Sequence, residues 1–410
     1  MGRALRAIPV RRAVTYAVLA VVTLFVAGNA ALMTFANVAR AANPNLVTEV
    51  TDDDLAPILA LQRGLVTPRQ LLAADVETTA RDSLRAQAVN SVALRVLAMR
   101  AEVLERHQQA SAFLSLSERA SRRDVLTQLM LIEQSVQADD IPGALSHYDK
   151  ALRTNSQTYS LLFPVLGAAI ERPAIRQASI PYVRNLAPWM SDFIDATLSS
   201  GRAGARNAAM LLISAHVGDV LRAKGPLLIE ALIAGGEFAM AQQVFQAMPG
   251  ANPQVLQAPG FRAATVDPAY GLISWTAINN GSSGAVFDGP PGADARTVRV
   301  YAGPGERTLV LRRLIALPPG RYAHMETRVA ASGDASSKAI WEMKCQGSAG
   351  TESIWRDTAD GISYRLENGP GPRIPSGCTH QILELTVDAG GSQEGLELVI
   401  QRFALNRVGA

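Results

Sequence analysis

Residues 308–322 read TLVLRRLIALPPGRY, and they decide the fold of the C-terminal part of the chain. Leucine, valine and isoleucine dominate the run up to Leu317, where Pro-Pro-Gly interrupts it. Proline cannot donate a ladder hydrogen bond, so this tripeptide ends a strand and starts a turn. We therefore predict one strand over Thr308–Leu317 and a second over Arg321–Ala330.

The same pattern extends outward from this stretch over residues 265–408. Short apolar runs alternate with polar residues, and glycine, proline, serine and aspartate separate them. Eight or nine strands at this spacing predict an antiparallel β-sandwich or jelly roll. The predicted strands are Gly271–Ala277, Ala285–Asp288, Thr297–Ala302, Thr308–Leu317, Arg321–Ala330, Ala339–Cys345, Ile354–Asp357, Gln381–Val387 and Leu396–Leu405.

Residues 308–322 resemble the central hairpin of galactose-binding-like jelly rolls, the fold of many carbohydrate-binding modules. In that hairpin a strand ends in Pro-Gly and a tyrosine, here Tyr322, opens the next strand. The last strand, Leu396–Val408, resembles the closing strand of the same fold. The resemblance covers about residues 265–408 and implies the fold more specifically than it implies sugar binding.

Residues 54–248 are rich in alanine and leucine at helical spacing, which predicts a helical domain, followed by a linker over 249–264. Shifting the chain by 34 residues aligns three triplets whose members share one helical face. The triplets are Val76-Ala80-Ser83, Ala110-Leu114-Ser117 and Ala144-Tyr148-Ala151. This 34-residue repeat length resembles that of the tetratricopeptide repeat. The resemblance implies a helical solenoid that binds protein partners, and an irregular helical domain is the alternative.

The N-terminus predicts a membrane anchor. Residues 1–12 carry four arginines and are predicted to form a basic, cytoplasmic segment. Residues 13–39 carry no charge, and a segment of this length can span a bilayer. The segment is a transmembrane helix or uncleaved signal, and a cleaved signal peptide is the alternative. We expect a single-pass protein of a bacterial inner membrane, N-terminus cytoplasmic and bulk periplasmic.

The charge of the chain bears on nucleic acid as a partner, and its two cysteines bear on a disulfide. From residue 41 onward 34 basic residues face 36 acidic ones, so no basic excess indicates nucleic acid as a partner. Cys345 and Cys378 lie on the side predicted to be exported, where an oxidising compartment favours a disulfide between them. Two separate buried thiols are the alternative.

Aromatic side chains are the candidates for sugar binding, because pyranose rings stack on them. Strand alternation places Trp341 and Trp275 in the core. Trp355 precedes Arg356 and Asp357 in a turn-like context, so Trp355 and Tyr364 are the predicted glycan-binding pair.

No catalytic, metal or cofactor motif is recognised in the sequence. The five histidines, at 107, 147, 216, 324 and 380, show no metal-ligand spacing. We expect an α+β multidomain scaffold or adaptor, not an enzyme, that binds polysaccharide and assists cell-envelope polysaccharide biosynthesis or export. The alternatives are a pure protein–protein assembly module and, third, an envelope hydrolase.

Overall fold

A computed structural model describes residues 67–289, 294–347, 350–357 and 364–409, together with positions 23, 27, 28 and 31. The chain divides into two compact units, Met1–Thr158 and Tyr159–Ala410. Helices make up the described part of the first unit, and the second unit combines helices with two β-sheets. The fold class is therefore α+β, as the sequence predicts.

Residues 67–158 of the first unit contain six α-helices. Three of them begin at capping side chains: Asn90, Asp124 and Asp140 accept hydrogen bonds from the first-turn backbone N–H groups of α3, α5 and α6. Asp124 also pairs with Arg95 of α3, which is buried. The helices are α1 (Pro68–Leu71), α2 (Ala74–Ala86), α3 (Ser91–Val103), α4 (His107–Ala120), α5 (Val125–Gln137) and α6 (Ile141–Thr154).

The 34-residue step is visible in the helix starts of this unit. α3 and α5 begin at Ser91 and Val125, and α4 and α6 begin at His107 and Ile141. All nine residues of the three aligned triplets are buried. The helices of the second unit do not keep this step, so a tetratricopeptide-like solenoid over 54–248 stays a prediction, and residues 54–66 lie outside the described part.

The second unit begins with six further helices. Phe163 and Trp189 each pack edge to face against Phe193 of this group, and Phe245 packs in the same way against Tyr270, which lies beyond the helices. The helices are α7 (Tyr159–Ala169), α8 (Pro173–Arg184), α9 (Met190–Ser199), α10 (Arg202–Ala215), α11 (Gly218–Ala234) and α12 (Phe238–Ala247).

The β-part is a sandwich of two five-stranded sheets whose paired strands all run antiparallel. One sheet has the order β1-β4-β9-β6-β7 and the other β2-β3-β10-β5-β8. The strands are β1 (Thr276–Ala277), β2 (Gly284–Asp288), β3 (Thr297–Ala302), β4 (Arg307–Ile315), β5 (Gly320–Ser332), β6 (Lys338–Gly347), β7 (Gly350–Asp357), β8 (Tyr364–Ile374), β9 (His380–Asp388) and β10 (Leu396–Val408).

The core between the sheets is aromatic. Trp341 and Phe403 have ring centroids 4.2 Å apart, and Trp275 and Phe261 pack beside them. Trp341 is fully buried and Trp275 is 3% exposed, so the prediction that both are core residues is confirmed. The predicted disulfide is also confirmed: Cys345 of β6 is bonded to Cys378, which precedes β9.

Two strand predictions differ from the structure. Residues Pro268–Ile273 form a 3-10 turn, so only Thr276–Ala277 of the predicted strand 271–277 is extended. The whole of β8 was missed, because Gly369-Pro370-Gly371-Pro372 is typical of a turn. β8 lies at the edge of its sheet, where prolines are tolerated because one side of the strand needs no donors.

Residues 249–264, predicted as a linker, are packed against the sandwich. Arg313 of β4 is fully buried and donates hydrogen bonds to the carbonyl oxygens of Val255, Ala258 (2.7 Å) and Ile273 (2.8 Å). Leu256 accepts a further bond from the backbone N–H of Ala316. A buried guanidinium needs hydrogen-bond acceptors, and these carbonyl groups supply them. Arg313 therefore fixes residues 255–258 to the sheet.

The predicted localisation, a single-pass inner-membrane protein with its bulk in the periplasm, is contradicted. Within the part of the chain that the structure describes, no helix is both long enough and apolar enough to cross a membrane. The predicted cytoplasmic segment 1–12 lies outside the described residues, as does the predicted anchor 13–39 except for positions 23, 27, 28 and 31.

Candidate functional site

The predicted glycan-binding residues occupy neighbouring edge strands. Trp355 lies on β7 and is half-buried; its indole N–H donates to the carbonyl oxygen of Pro370 (3.1 Å), and its ring meets His324 edge to face. Tyr364 is the first residue of β8, and its side chain is outside the described part. Trp355 thus packs partly into the sandwich, and the platform formed with Tyr364 stays a prediction.

Behind Trp355 lies a buried cluster of charged side chains. His324, Glu326 and Arg328 alternate along β5 and point between the sheets, where each is at most 2% exposed. Glu326 accepts hydrogen bonds from Arg328 (2.6 and 2.9 Å) and from the indole of Trp341 (3.0 Å). The signal in the sequence is His-Met-Glu-Thr-Arg, which puts polar residues on the face of a strand that should be apolar.

His324 lies between two carboxylates. Its Nε2 is 3.2 Å from Glu326, and its Nδ1 is 3.1 Å from Asp357 of β7. Both carboxylates favour the protonated imidazole, through hydrogen bonding and through charge. Burial alone lowers the pKa of His324, but Asp357 and Glu326 outweigh it and the pKa is raised.

His324, Glu326 and Asp357 place three possible metal-ligand atoms within 4.8 Å of one another, which the sequence analysis did not anticipate. Arg328 already binds both oxygens of Glu326 and supplies the positive charge that a metal ion would bring. A protonated His324 balances the remaining charge of Asp357. We therefore interpret this cluster as a charge network inside the sandwich.

A second feature is a cleft along β10, which we call the β10 cleft. β3 pairs with β10 only over residues 396–400, so the β3-facing edge of β10 has no strand partner beyond Ile400. Residues 257–262 and 294–296 lie along this edge instead and enclose a cavity of about 630 Å³. The sequence gives no sign of this cleft, because its walls are about 140 residues apart.

The walls of the β10 cleft are firmly held. The backbone N–H of Ala263 donates to Asp294 (2.8 Å), and that of Arg296 donates to Phe261 (3.1 Å), which ties the two loop segments together. Gly260 approaches β10 closely: a Cβ there would lie 2.9 Å from the carbonyl oxygen of Phe403. Only glycine fits this wall without displacing the strand.

Seven of the fifteen residues that line the β10 cleft have polar side chains. These side chains offer amide donors and acceptors, guanidinium donors and one carboxylate. Phe261 and Phe403 also line the cleft and are nearly buried. The polar lining residues are Gln257, Arg262, Asp294, Arg296, Gln401, Arg402 and Asn406.

Comparisons with known proteins concern the β-part of the chain. No protein-family model and no curated protein sequence matches. Among solved structures, TmCBM61 in complex with β-1,4-galactotriose is 15% identical, covers 37% of this chain and 95% of its own, with a TM-score of 0.25. The C-terminal family 22 carbohydrate-binding module of Clostridium thermocellum Xyn10B is 18% identical, covering 33% and 87%, with a TM-score of 0.23.

The enzymatically active domain of a bacteriophage CBA120 tailspike protein is also similar, at 12% identity over 33% of this chain and 19% of that one, with a TM-score of 0.21. At such low identity and TM-score, the ligands of these proteins are properties of those proteins alone.

Proposed function

We propose that this protein is a non-catalytic scaffold whose sandwich binds carbohydrate in the β10 cleft. The observation that carries the proposal is the cleft itself, whose volume of about 630 Å³ falls within the roughly 300–1,000 Å³ of small-molecule sites. Its walls are fixed by Arg313 and by the backbone bonds of residues 261–263, so the site is formed before a ligand arrives.

The chemistry of the lining favours a sugar. A saccharide presents many hydroxyl groups, each of which both donates and accepts hydrogen bonds. Gln257, Gln401 and Asn406 do both, and Asp294 accepts while the arginines donate, so the lining can satisfy hydroxyls in either role. All three amide side chains are exposed and accessible to a ligand.

The lining also supports binding rather than hydrolysis. Glycoside hydrolysis ordinarily requires two carboxyl groups that flank the scissile bond. The β10 cleft contains one, Asp294, whose carboxylate is 3.7 Å from Arg262 and 68% exposed. A single solvent-exposed carboxylate does not supply the pair of carboxyl groups that this reaction uses.

Affinity electrophoresis of the intact chain, in gels that contain neutral or acidic polysaccharides, tests this function. We expect at least one polymer to retard the protein, and the double variant Gln401→Ala/Asn406→Ala to lose most of that retardation at an unchanged melting temperature. Gln108→Ala, an exposed amide on α4, is the matched control and should behave as wild type. Wild-type mobility that no polymer changes would contradict the proposal.

A groove in the helical part favours the alternative, a protein-assembly module. It measures about 560 Å³, lies between α7, α9 and α10, and is lined by small and apolar residues such as Phe163, Ala168 and Ala203. Small residues allow another helix to approach closely. A cellular complex that Ala203→Trp abolishes, and that the Gln401→Ala/Asn406→Ala variant leaves intact, would favour assembly as the main function.

A further inference from the structure

The β10 cleft is positively charged, in contrast to the rest of the chain. Three arginines, Arg262, Arg296 and Arg402, line it with one carboxylate, Asp294. Residues 41–410 as a whole carry two more acidic than basic residues. The lining of this cleft therefore carries more positive than negative charge, which favours an anionic ligand.

The three arginines differ in how far their guanidinium groups are already engaged. Arg296 donates to the carbonyl oxygen of Gly289 (3.1 Å), and Arg262 is 3.7 Å from Asp294 in a pair that is two-thirds exposed on both sides. The guanidinium of Arg402 makes no hydrogen bond or ion pair with any residue that the structure describes. Arg402 is thus the cation available to a ligand.

Arg402 is also well placed. It is exposed on β10 at the point where the strand leaves β3, between Gln401 and the buried Phe403. A guanidinium offers a planar pair of N–H donors that matches a carboxylate, sulfate or phosphate with two parallel hydrogen bonds. The flanking Gln401 supplies an amide for a neighbouring sugar hydroxyl.

We propose that the glycan bound in the β10 cleft is acidic, and that Arg402 binds an oxyanion on one of its sugar residues. This inference rests on the proposed carbohydrate-binding function and adds the class of sugar. Arg262 and Arg296 contribute positive potential on the opposite wall, and the exposed Arg262–Asp294 pair separates at little cost when an anion competes for the guanidinium.

Calorimetric titration of the intact chain tests the inference with matched polymers. Polygalacturonate is compared with its carboxyl-reduced form, which keeps the linkage and loses the charge, and dextran sulfate is compared with dextran. We expect one acidic polymer to bind at least tenfold more tightly than its neutral counterpart, and the preferred polymer identifies carboxylate or sulfate as the oxyanion. The preference should weaken as salt rises, because the arginines are accessible to solvent.

Arg402→Gln should weaken binding of the acidic polymer at least tenfold. It should weaken binding of the neutral polymer far less, because the glutamine amide still donates hydrogen bonds to hydroxyl groups. Arg321→Gln is the control, because Arg321 is exposed on the neighbouring strand β5, lies outside the cleft lining, and has a guanidinium without a partner among the described residues. Equal binding of acidic and neutral polymers, or an unaffected Arg402→Gln variant, would overturn the inference while leaving carbohydrate binding intact.

Polyglutamate serves as a polyanion without sugar. If it competes as well as the acidic polysaccharide, the cleft binds anions in general and the inference fails. If none of the four polysaccharides binds, the proposed carbohydrate-binding function fails, and the assignment of an acidic glycan fails with it.

Discussion

His324 lies inside the sandwich with Asp357 at one ring nitrogen and Glu326 at the other. Arg328 neutralises Glu326, and a protonated His324 places a second positive charge beside Asp357. The raised pKa of His324 makes this residue a source of stability at low pH. The contribution is fully present below the ordinary histidine pKa and is lost as pH rises through the raised value.

We predict that the free energy of unfolding of wild type, measured by urea denaturation, falls relative to that of His324→Gln as pH rises from about 6 to about 9. The difference between the two proteins is the relevant quantity, because burial lowers the pKa of His147 and His380 and gives the opposite slope. Parallel stability curves for the two proteins would show that folding does not change the pKa of His324, and would contradict the prediction.

Arg312 and Arg313 are adjacent in the sequence but differ in burial and in hydrogen bonding. Arg313 is fully buried and bonded to three carbonyl groups, whereas Arg312 is 38% exposed on the other face of β4 and pairs with Glu384 at 3.2 Å. Arg313→Met leaves those carbonyls without donors and should lower the free energy of unfolding by about 3 kcal/mol or more. Arg312→Met should change it by about 1 kcal/mol or less.

Chemical denaturation of both variants measures this contrast. Equal effects would mean that residues 255–258 are not fixed to the sheet through Arg313. The apolar run that ends at Pro-Pro-Gly predicted the strand Thr308–Leu317, but not which arginine faces inward. That choice depends on the β-bulge between Leu309 and Leu311 and on carbonyl groups more than 50 residues away, which local pattern does not encode.

At the scale of elements, the disulfide joins β6 to the segment before β9 across 33 residues. Closing a loop of this length restricts the unfolded chain and should contribute about 3–4 kcal/mol. We predict that Cys378→Ser, or reduction of wild type, lowers the denaturation midpoint by a corresponding amount. The double variant with serine at both positions should not respond to reductant. A midpoint that reduction leaves unchanged would rule out this contribution.

The pairing was predicted from the presence of two cysteines and an expected oxidising compartment, whereas the strands around it were predictable only in part. β4, β5, β6, β9 and β10 follow clear apolar runs in the sequence. β8 does not, because its edge position accepts a glycine- and proline-rich stretch that local rules assign to a turn. The helix starts at a 34-residue step were predictable because capping residues Asn90 and Asp124 recur at the same interval.

At the scale of the whole molecule, the candidate site depends on chain organisation that local pattern does not reveal. Residues 257–262 look like a linker, yet they become a wall of the β10 cleft because Arg313 and Trp275 bind their carbonyl groups. The aromatic residue singled out from the sequence, Trp355, instead packs beside His324. The sequence predicted the sandwich, and it placed a glycan-binding pair at Trp355 and Tyr364, on β7 and β8, whereas we propose the β10 cleft as the site.

Hydrogen–deuterium exchange of the intact chain, with and without the polysaccharide that retards it most in gels, tests the location of the site directly. Backbone groups of β10 beyond Ile400 have no strand partner on the cleft side, so a bound glycan should slow their exchange. We predict protection in peptides that cover residues 257–262 and 401–406. Protection confined to residues 350–357 and 364–374, around Trp355 and Tyr364, would contradict the account.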